Sequence, residues 1–363
     1  MFFFDGSSNV AAGAKAVIPT NVFRLNRAFT YGFSGIPQIT FYFSGVGTRR
    51  DRLSAATGAG FDEIVIEAYV NLASNFLKGD EIYLFGFSRG AAAARALSGL
   101  ISHPGLLPAD FLDRFPELWR HFTSKKLSSQ NRADLFQKFE SQLHGTRPIV
   151  QFLGAFDTVA GSDWDRMNLF GKVRFNSLTL DNSVERAVQI LAIDDDRNPS
   201  FSPLLWDGKS RDDQVLEQIW MPGVHADIGG CSNDRFLGDV ALLTMLDRIR
   251  NHCPKLEIDD ELFVPALLKS LRRATHIEIT NERTGLRKLL AQAPRSIGVH
   301  ETEFIHSIFN SLADREFTIK GTKQRYDPTH YNRRLDVLPM HLDEELYQLC
   351  KLLLREQPPE PRR

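Results

Sequence analysis

The stretch Glu81–Arg95, EIYLFGFSRGAAAAR, constrains the fold of this chain more than any other. An apolar run, Ile82-Tyr83-Leu84-Phe85, breaks at Gly86, carries Ser88 between two glycines, and continues into four alanines. Read physically, this is a strand that turns sharply into a helix, with a serine exposed at the bend. Strand and helix backbones nearly touch at such a turn. The residues two before and two after the serine must therefore be small, as Gly86 and Gly90 are. The helix start adds backbone N–H groups and the positive end of its dipole. Ala91–Ala94 let that helix lie close against a sheet. The pattern predicts Ser88 as a nucleophile, with the backbone N–H of Arg89 beside any oxyanion formed there.

The surroundings of this stretch predict parallel βαβ units. Phe2-Phe3-Phe4 is an apolar run without polar alternation, so it reads as a strand inside a sheet, and it passes straight into Asp5-Gly6-Ser7. Asn21–Phe29 reads as a short helix and Gln38–Ser44 as a second strand. Phe61–Leu77 reads as a helix with Ile64, Ala68, Leu72 and Phe76 on one face, ending at Lys78-Gly79. After the break at His103-Pro104-Gly105, Asp110–Gly145 reads as helical, with Phe111, Leu112, Phe115, Leu118, Trp119 and Phe122 sharing a face. Core packing is the simpler reading of that face, and a cap formed by an insertion over 104–146 is the functional one. Pro148–Phe156 reads as a buried strand ending at Asp157, Asn182–Ala192 as a helix followed by Asp194-Asp195-Asp196, and Val215–Trp220 as a strand leading into a glycine-rich turn with His225. From Asp239 onward the pattern is mainly helical, with His276–Thr280 as a late edge strand and weak strand signals beyond. The tail from Gln357 reads as disordered. The resulting expectation is an α/β fold: a doubly wound, mostly parallel sheet with a helical insertion and a helical C-terminal part. Its domain division is 1–315 for the main unit and 316–363 for an extension.

A serine alcohol needs a base within hydrogen-bond reach, and the base needs a carboxylate that fixes its tautomer. In parallel-sheet enzymes with this turn the chain order is serine, acid, histidine, each at a strand end. Of ten histidines, His225 follows a strand directly and is the expected base. His306 ranks second, in a segment that looks helical. Asp157 ends a strand between the two and is the expected acid, while a turn-forming role for its side chain is the plainer alternative. Asp194, Asp195 and Asp196 lie in the same interval but follow a supposed helix. Asp227 is too close in sequence to His225 to reach its ring easily and is expected to hold the loop. For the second oxyanion donor, Gly6 or Ser7 is expected, with Gly45–Gly47 next. Asp5 would orient a loop or meet a cation. A single carboxylate is not a metal site, and neither a metal nor a cofactor is expected.

Composition excludes some functions. The formal net charge of −1 over 363 residues argues against general affinity for nucleic acid. Three widely spaced cysteines argue against a disulfide framework or a zinc site. No apolar run reaches the ~18 residues of a membrane span. Met1–Asp5 lacks the pattern of a Sec signal, so cytoplasmic synthesis is expected. The 27 phenylalanines suit a large core or an apolar acyl-binding surface equally.

Five separated motifs agree with one family. In order, FFFDGSSN, FYFSGVGT, GFSRGAAAAR, FLGAFDTVA and MPGVHADIGG resemble the α/β-hydrolase domain of phospholipase effectors of bacterial type VI secretion and their uncharacterised bacterial and fungal relatives. ILAIDDDRNPSF and EFIHSIFNSLADR extend the likeness, which spans roughly Phe2 to Arg315. The resemblance implies a serine esterase of phospholipase A type, with Ser88, Asp157 and His225 on the family's triad motifs. It further implies a lipid or other acyl-ester substrate, contact with a membrane surface, export by a type VI-like system, and a secretion-system or immunity partner. Ser7 stands where the family usually has threonine, and Cys231 where a third glycine is common. An esterase for soluble acyl substrates and a non-catalytic binding module of the same fold are the alternative readings.

Overall fold

The computed structural model describes residues 1–7, 9–10, 18–29, 37–46, 59–124, 148–159, 178–197, 201–283, 292–328 and 335–354. In chain order the first half carries β1 (Phe2–Phe4), α1 (Asn21–Phe29), β2 (Phe41–Phe43), α2 (Ala59–Asn75), β3 (Ile82–Phe87), α3 (Arg89–Ser102), a 3-10 turn over Ala109–Arg114, α4 (Phe115–Phe122), β4 (Val150–Phe156) and β5 (Thr179–Leu180). The second half carries β6 (Arg186–Ala192), β7 (Gly208–Lys209), β8 (Val215–Met221), α5 (His225–Gly229), α6 (Phe236–His252), α7 (Phe263–Arg272), β9 (Glu278–Ile279), β10 (Glu303–His306), α8 (Ile308–Leu312), β11 (Glu316–Ile319), β12 (Thr322–Arg325), β13 (Val337–Leu338) and α9 (Asp343–Leu353).

Eight strands form the main sheet in the order β13-β10-β8-β6-β4-β3-β1-β2. Every neighbouring pair in it is parallel. Side chains of successive strand residues point to opposite faces. In β1, Phe3 joins one buried cluster while Phe2 and Phe4 join the other. Phe3 stacks on Phe85 at 5.0 Å, and Phe4 stacks on Phe43 at 5.1 Å. Each such ring, fully buried, contributes on the order of 2–3 kcal/mol. Helices α1 and α6 cover the Phe3 face, and α2 and α3 cover the other. This is a doubly wound sheet of the α/β-hydrolase type, and β1 lies inside it as its unbroken apolar run predicts.

Strands β3, β4, β6 and β8 share one direction, so their C-terminal ends gather at one edge. Ser88 follows β3, Asp157 follows β4, the segment from Ile193 follows β6, and His225 comes four residues after β8 ends.

Several local expectations need correction. Asn182–Ala192 is not a helix: Arg186–Ala192 is β6, paired with β4 on one side and β8 on the other. A short apolar run has no periodicity that separates a buried strand from a buried helix, and its neighbours in the sheet decide. Glu303–His306, which looks helical in sequence, is β10 in the same sheet. The C-terminal part holds helices, but also β11, β12 and β13. Strand pairing links residues on either side of 315, since β13 pairs with β10 and β11 pairs with β9, and this leaves the expected division at 315 as it stands. The described part of the 104–146 insertion packs on the core, with Phe115, Leu118 and Trp119 buried and Phe111 exposed. Residues 125–147 and the tail from Gln357 lie outside the described residues.

Candidate active site

Ser88 sits at φ 57°, ψ −125°, a backbone region that side chains other than glycine seldom occupy. Its N–H donates to the Phe156 carbonyl of β4 at 3.0 Å, and α3 starts at the next residue. The turn is built from close backbone contact. A Cβ on Gly86 would lie 2.5 Å from Ala91 Cα, and one on Gly90 would lie 2.2 Å from the Phe4 carbonyl oxygen. Only glycine at both positions lets β3, α3 and β1 meet, and this aims the Ser88 hydroxyl out of the sheet edge.

The turn after β8 brings in His225, the expected base. Asp227 accepts the backbone N–H groups of Val224 at 3.0 Å and Thr280 at 3.2 Å, and the Ser232 hydroxyl at 2.5 Å. It therefore holds the loop, as its position predicts. Asn21 of α1 donates its amide to the Ile228 carbonyl at 3.0 Å and to that of Gly238 at 2.8 Å, tying the loop to α6. His225 is 6% exposed. Its ring packs on Phe87 at 4.7 Å between centroids and meets Phe201 edge-on at 5.5 Å.

The three expected residues come together. His225 Nε2 lies 2.8 Å from Ser88 Oγ, and His225 Nδ1 lies 2.6 Å from Asp157 Oδ2. Asp157 is fully buried and has φ 43°. Both distances are within proton-transfer reach. With Asp157 ionised, Nδ1 carries the proton and Nε2 is left as an acceptor facing the serine.

Asp157 has a further partner that the sequence does not reveal. Arg295, also fully buried in its side chain, donates Nη1 to Asp157 Oδ1 at 2.6 Å and Nη2 to Oδ2 at 3.0 Å. The Ala192 N–H completes the set at 3.1 Å. Burial alone would push the Asp157 carboxyl up, but Arg295 and His225 outweigh it and hold the carboxyl below its usual range. Arg295 also donates to the carbonyls of Ala192 and Phe201, both at 2.9 Å.

A second charge group adjoins the first. Asp195 accepts the His225 backbone N–H at 3.2 Å and chelates Arg197, which also bonds Glu282 at 2.6 Å. Glu282 accepts the Ala226 N–H at 3.1 Å. In sequence Asp195 carries no strand-end signal, because the segment before it reads as a helix. Once Arg186–Ala192 is a strand, Asp195 lies at a strand end like Asp157. An isolated bridge between Arg197 and Ala293 lays the Ala293–Arg295 segment alongside.

Around the serine, Arg89 Nε donates to Ser7 Oγ, which links α3 to the loop after β1. The Gly6 N–H, expected as an oxyanion donor, donates to Asp5 Oδ1 at 2.6 Å. The Gly45 N–H donates to the Asn9 carbonyl at 3.0 Å, and Gly47 lies outside the described residues. Asp5 also accepts Thr20 at 2.9 Å and Tyr42 at 2.5 Å, so it orients this loop. Its burial pushes it up to about 6, against the hydrogen bonds that favour the ionised form. His306 is elsewhere, bonded to Thr244 at 2.8 Å and to the Ile308 N–H at 3.0 Å, and burial lowers it to about 4. Among the described residues no cluster of His, Cys, Asp and Glu could hold a metal ion.

Comparison with known proteins gives the family. Residues 1–248 match the sequence model described as "T6SS, Phospholipase effector Tle1-like, catalytic domain". The uncharacterized protein YEL023C of Saccharomyces cerevisiae is 30% identical over 165 residues, covering 39% of this chain and 24% of that protein. An uncharacterized protein from Pseudomonas aeruginosa aligns with 74% of this chain and 48% of its own, at 18% identity and a TM-score of 0.45. The Tle1 effector bound to the VgrG spike from the type 6 secretion system aligns with 64% of this chain and 50% of its own, at 22% identity and a TM-score of 0.37. The chain thus spans 24% of the yeast relative and 48% and 50% of the two structures. On the match over residues 1–248, the chain belongs to the family of Tle1-like phospholipase effector catalytic domains.

Proposed function

We propose that this protein is a serine carboxylic-ester hydrolase of phospholipase A type that works through an acyl-enzyme. The observation that carries the reading is the unbroken contact chain Ser88–His225–Asp157, at 2.8 and 2.6 Å, on a strained strand-to-helix turn. Ser88 Oγ attacks the ester carbonyl carbon while His225 Nε2 takes its proton. The tetrahedral intermediate collapses, the carbon–oxygen bond to the leaving group breaks, and His225 gives the proton to the departing alcohol. Water then repeats the sequence on the acyl-enzyme and releases the fatty acid. Asp157 holds His225 in the tautomer that leaves Nε2 free to accept.

The Arg89 N–H, at the first turn of α3, is the first oxyanion donor in this scheme. Since the Gly6 N–H is bonded to Asp5, the second donor is the Ser7 N–H. Family membership supports a phospholipid as substrate, met at a target membrane, and export as a secretion-system effector. Residues 1–315 are the catalytic unit in this reading, with 316–325 and 335–354 packed against it. Among the described residues no helix is long and apolar enough to cross a membrane.

Liposomes of phosphatidylethanolamine and phosphatidylglycerol, incubated with wild type and Ser88→Ala, test this directly. Wild type is expected to release fatty acid and lysophospholipid, and the variant to lose at least about 10³-fold of that rate. A Ser88→Ala protein with wild-type turnover overturns the mechanism. Hydrolysis of p-nitrophenyl butyrate without liposome hydrolysis would move the substrate to soluble acyl esters.

A further inference from the structure

We infer that Arg295 is a positioning residue of this site: its guanidinium fixes both oxygens of Asp157 against His225 and supplies the counter-charge that lets the pair take a proton from serine at lower pH. This rests on the hydrolase reading above and extends it to a residue outside the 1–248 span that matches the family.

Geometry comes first. The two Nη atoms reach the two carboxylate oxygens at 2.6 and 3.0 Å, a planar fork that fixes the plane of the carboxylate as well as its place. The same guanidinium bonds the Ala192 carbonyl at the end of β6 and the Phe201 carbonyl. The Phe201 ring in turn meets the His225 ring edge-on. Arg295 therefore joins the acid, the neighbouring strand end and the ring that flanks the base. A lysine would keep the charge but could not hold two oxygens in one plane.

Charge gives the second part. Within the buried group, Asp157, Asp195 and Glu282 face Arg197 and Arg295. Three carboxylates against two guanidiniums leave one net negative charge, which a protonated His225 cancels. The proton-accepting form of the Asp157–His225 pair is thus the more negative one, and Arg295 stabilises it. Without Arg295 the pair would hold its last proton to higher pH, whichever member carries it. The other titratable groups of the surrounding elements bond the loop rather than the ring. Asp194, which burial pushes up to about 7, accepts the Gly223 N–H. Asp227, pushed up to about 6, accepts the Val224 and Thr280 N–H groups. Cys231 is pushed up to about 12 and stays a thiol. The hydrogen bonds of the ring itself run to Ser88 and Asp157.

The test uses the full chain as wild type, Arg295→Gln and Arg295→Lys, each checked for fold by near-UV circular dichroism. Two readouts are taken: the acid limb of kcat/KM for p-nitrophenyl butyrate, and the NMR titration of the His225 imidazole nitrogens. In Arg295→Gln the acid limb and the imidazole titration should both move up by about one to two pH units. In Arg295→Lys the acid limb should stay within about half a unit of wild type while kcat falls roughly tenfold, because the charge remains and the fork is lost. An unmoved limb and titration in Arg295→Gln would overturn the inference. If Arg295→Gln does not fold, Arg295→Lys decides: wild-type kcat, or a limb displaced by a full unit, overturns it. Should wild type neither hydrolyse ester nor react at Ser88 with a fluorophosphonate, the hydrolase reading fails, and the NMR titration still reports whether Arg295 sets the protonation of the pair.

Discussion

Replacing Asp157 by asparagine tests how the acid is held. Four N–H donors converge on its two oxygens: Arg295 Nη1 and Ala192 N on Oδ1, Arg295 Nη2 and His225 Nδ1 on Oδ2. An amide offers one oxygen and one NH2, and either orientation sets that NH2 against a guanidinium N–H. With nitrogen at the Oδ2 position, His225 must also turn its tautomer, so that Nε2 carries a proton toward Ser88 and cannot accept one. With nitrogen at the Oδ1 position the tautomer survives, but Ala192 and one arm of Arg295 lose their acceptor. In both cases Arg295 stays buried without the carboxylate it is hydrogen-bonded to, with Asp195 and Glu282 as the remaining negative charges of the group. Breaking a buried pair from one side costs about 3–5 kcal/mol. Of a total stability of about 5–15 kcal/mol, this is a large share. Thermal melting should drop by about 4–7 °C, at roughly 1.3 °C per kcal/mol for an unfolding entropy of ~2.1 cal/mol/K per residue over 363 residues. Hydrolysis of p-nitrophenyl butyrate, measured well below the melting point, should fall by about 10⁴ in kcat. Melting within 2 °C of wild type would show that Arg295 is not held by Asp157. An activity within tenfold of wild type would refute the role of Asp157 as the orienting acid.

Two further outcomes follow from local geometry. Gly90→Ala places a Cβ 2.2 Å from the backbone oxygen of Phe4, in a strand inside the sheet that cannot move aside. It should cost at least about 3 kcal/mol and remove fluorophosphonate labelling of Ser88; a folded, labelled variant would show that the turn is looser than described. Asp5 is raised by burial to about 6. A carboxyl raised in the folded state binds its proton more tightly there than when unfolded, so native stability falls as pH rises from about 4 through about 6, by up to about 3 kcal/mol. In Asp5→Asn this part of the pH dependence should vanish from denaturant titrations at pH 5 and 7.5, and an unchanged slope between the two would show that Asp5 is ionised at no cost.

The elbow was legible because one short stretch carries its pattern: Gly86 is forced by contact with Ala91 five residues on, and Gly90, which meets the Phe4 carbonyl of β1, stands in the same strand-to-helix motif. Phe2–Phe4 was legible as an interior strand for a similar reason, since three adjacent aromatics with no polar alternation need cover on both faces. Arg186–Ala192 misled because a buried strand and a buried helix can carry the same apolar residues. What distinguishes β6 is pairing with β4 and β8, strands that begin 36 residues earlier and 29 residues later in the chain. That single error also hid Asp195, whose value as a strand-end residue depends on β6. Arg295 gave no signal at all. It lies 138 residues from Asp157, in a segment with no periodicity, and only the fold brings the two charges together.

The long separation between Asp157 and Arg295 has a consequence during synthesis. A ribosome delivers the acid, and then His225, well before the arginine that neutralises the acid emerges. A nascent chain ending near residue 248 already contains Ser88, Asp157 and His225 but not the guanidinium that holds both Asp157 oxygens. The guanidinium fork on Asp157 therefore closes only after residue 295 has left the ribosome, so the last contact of this buried group is also the last to be synthesised.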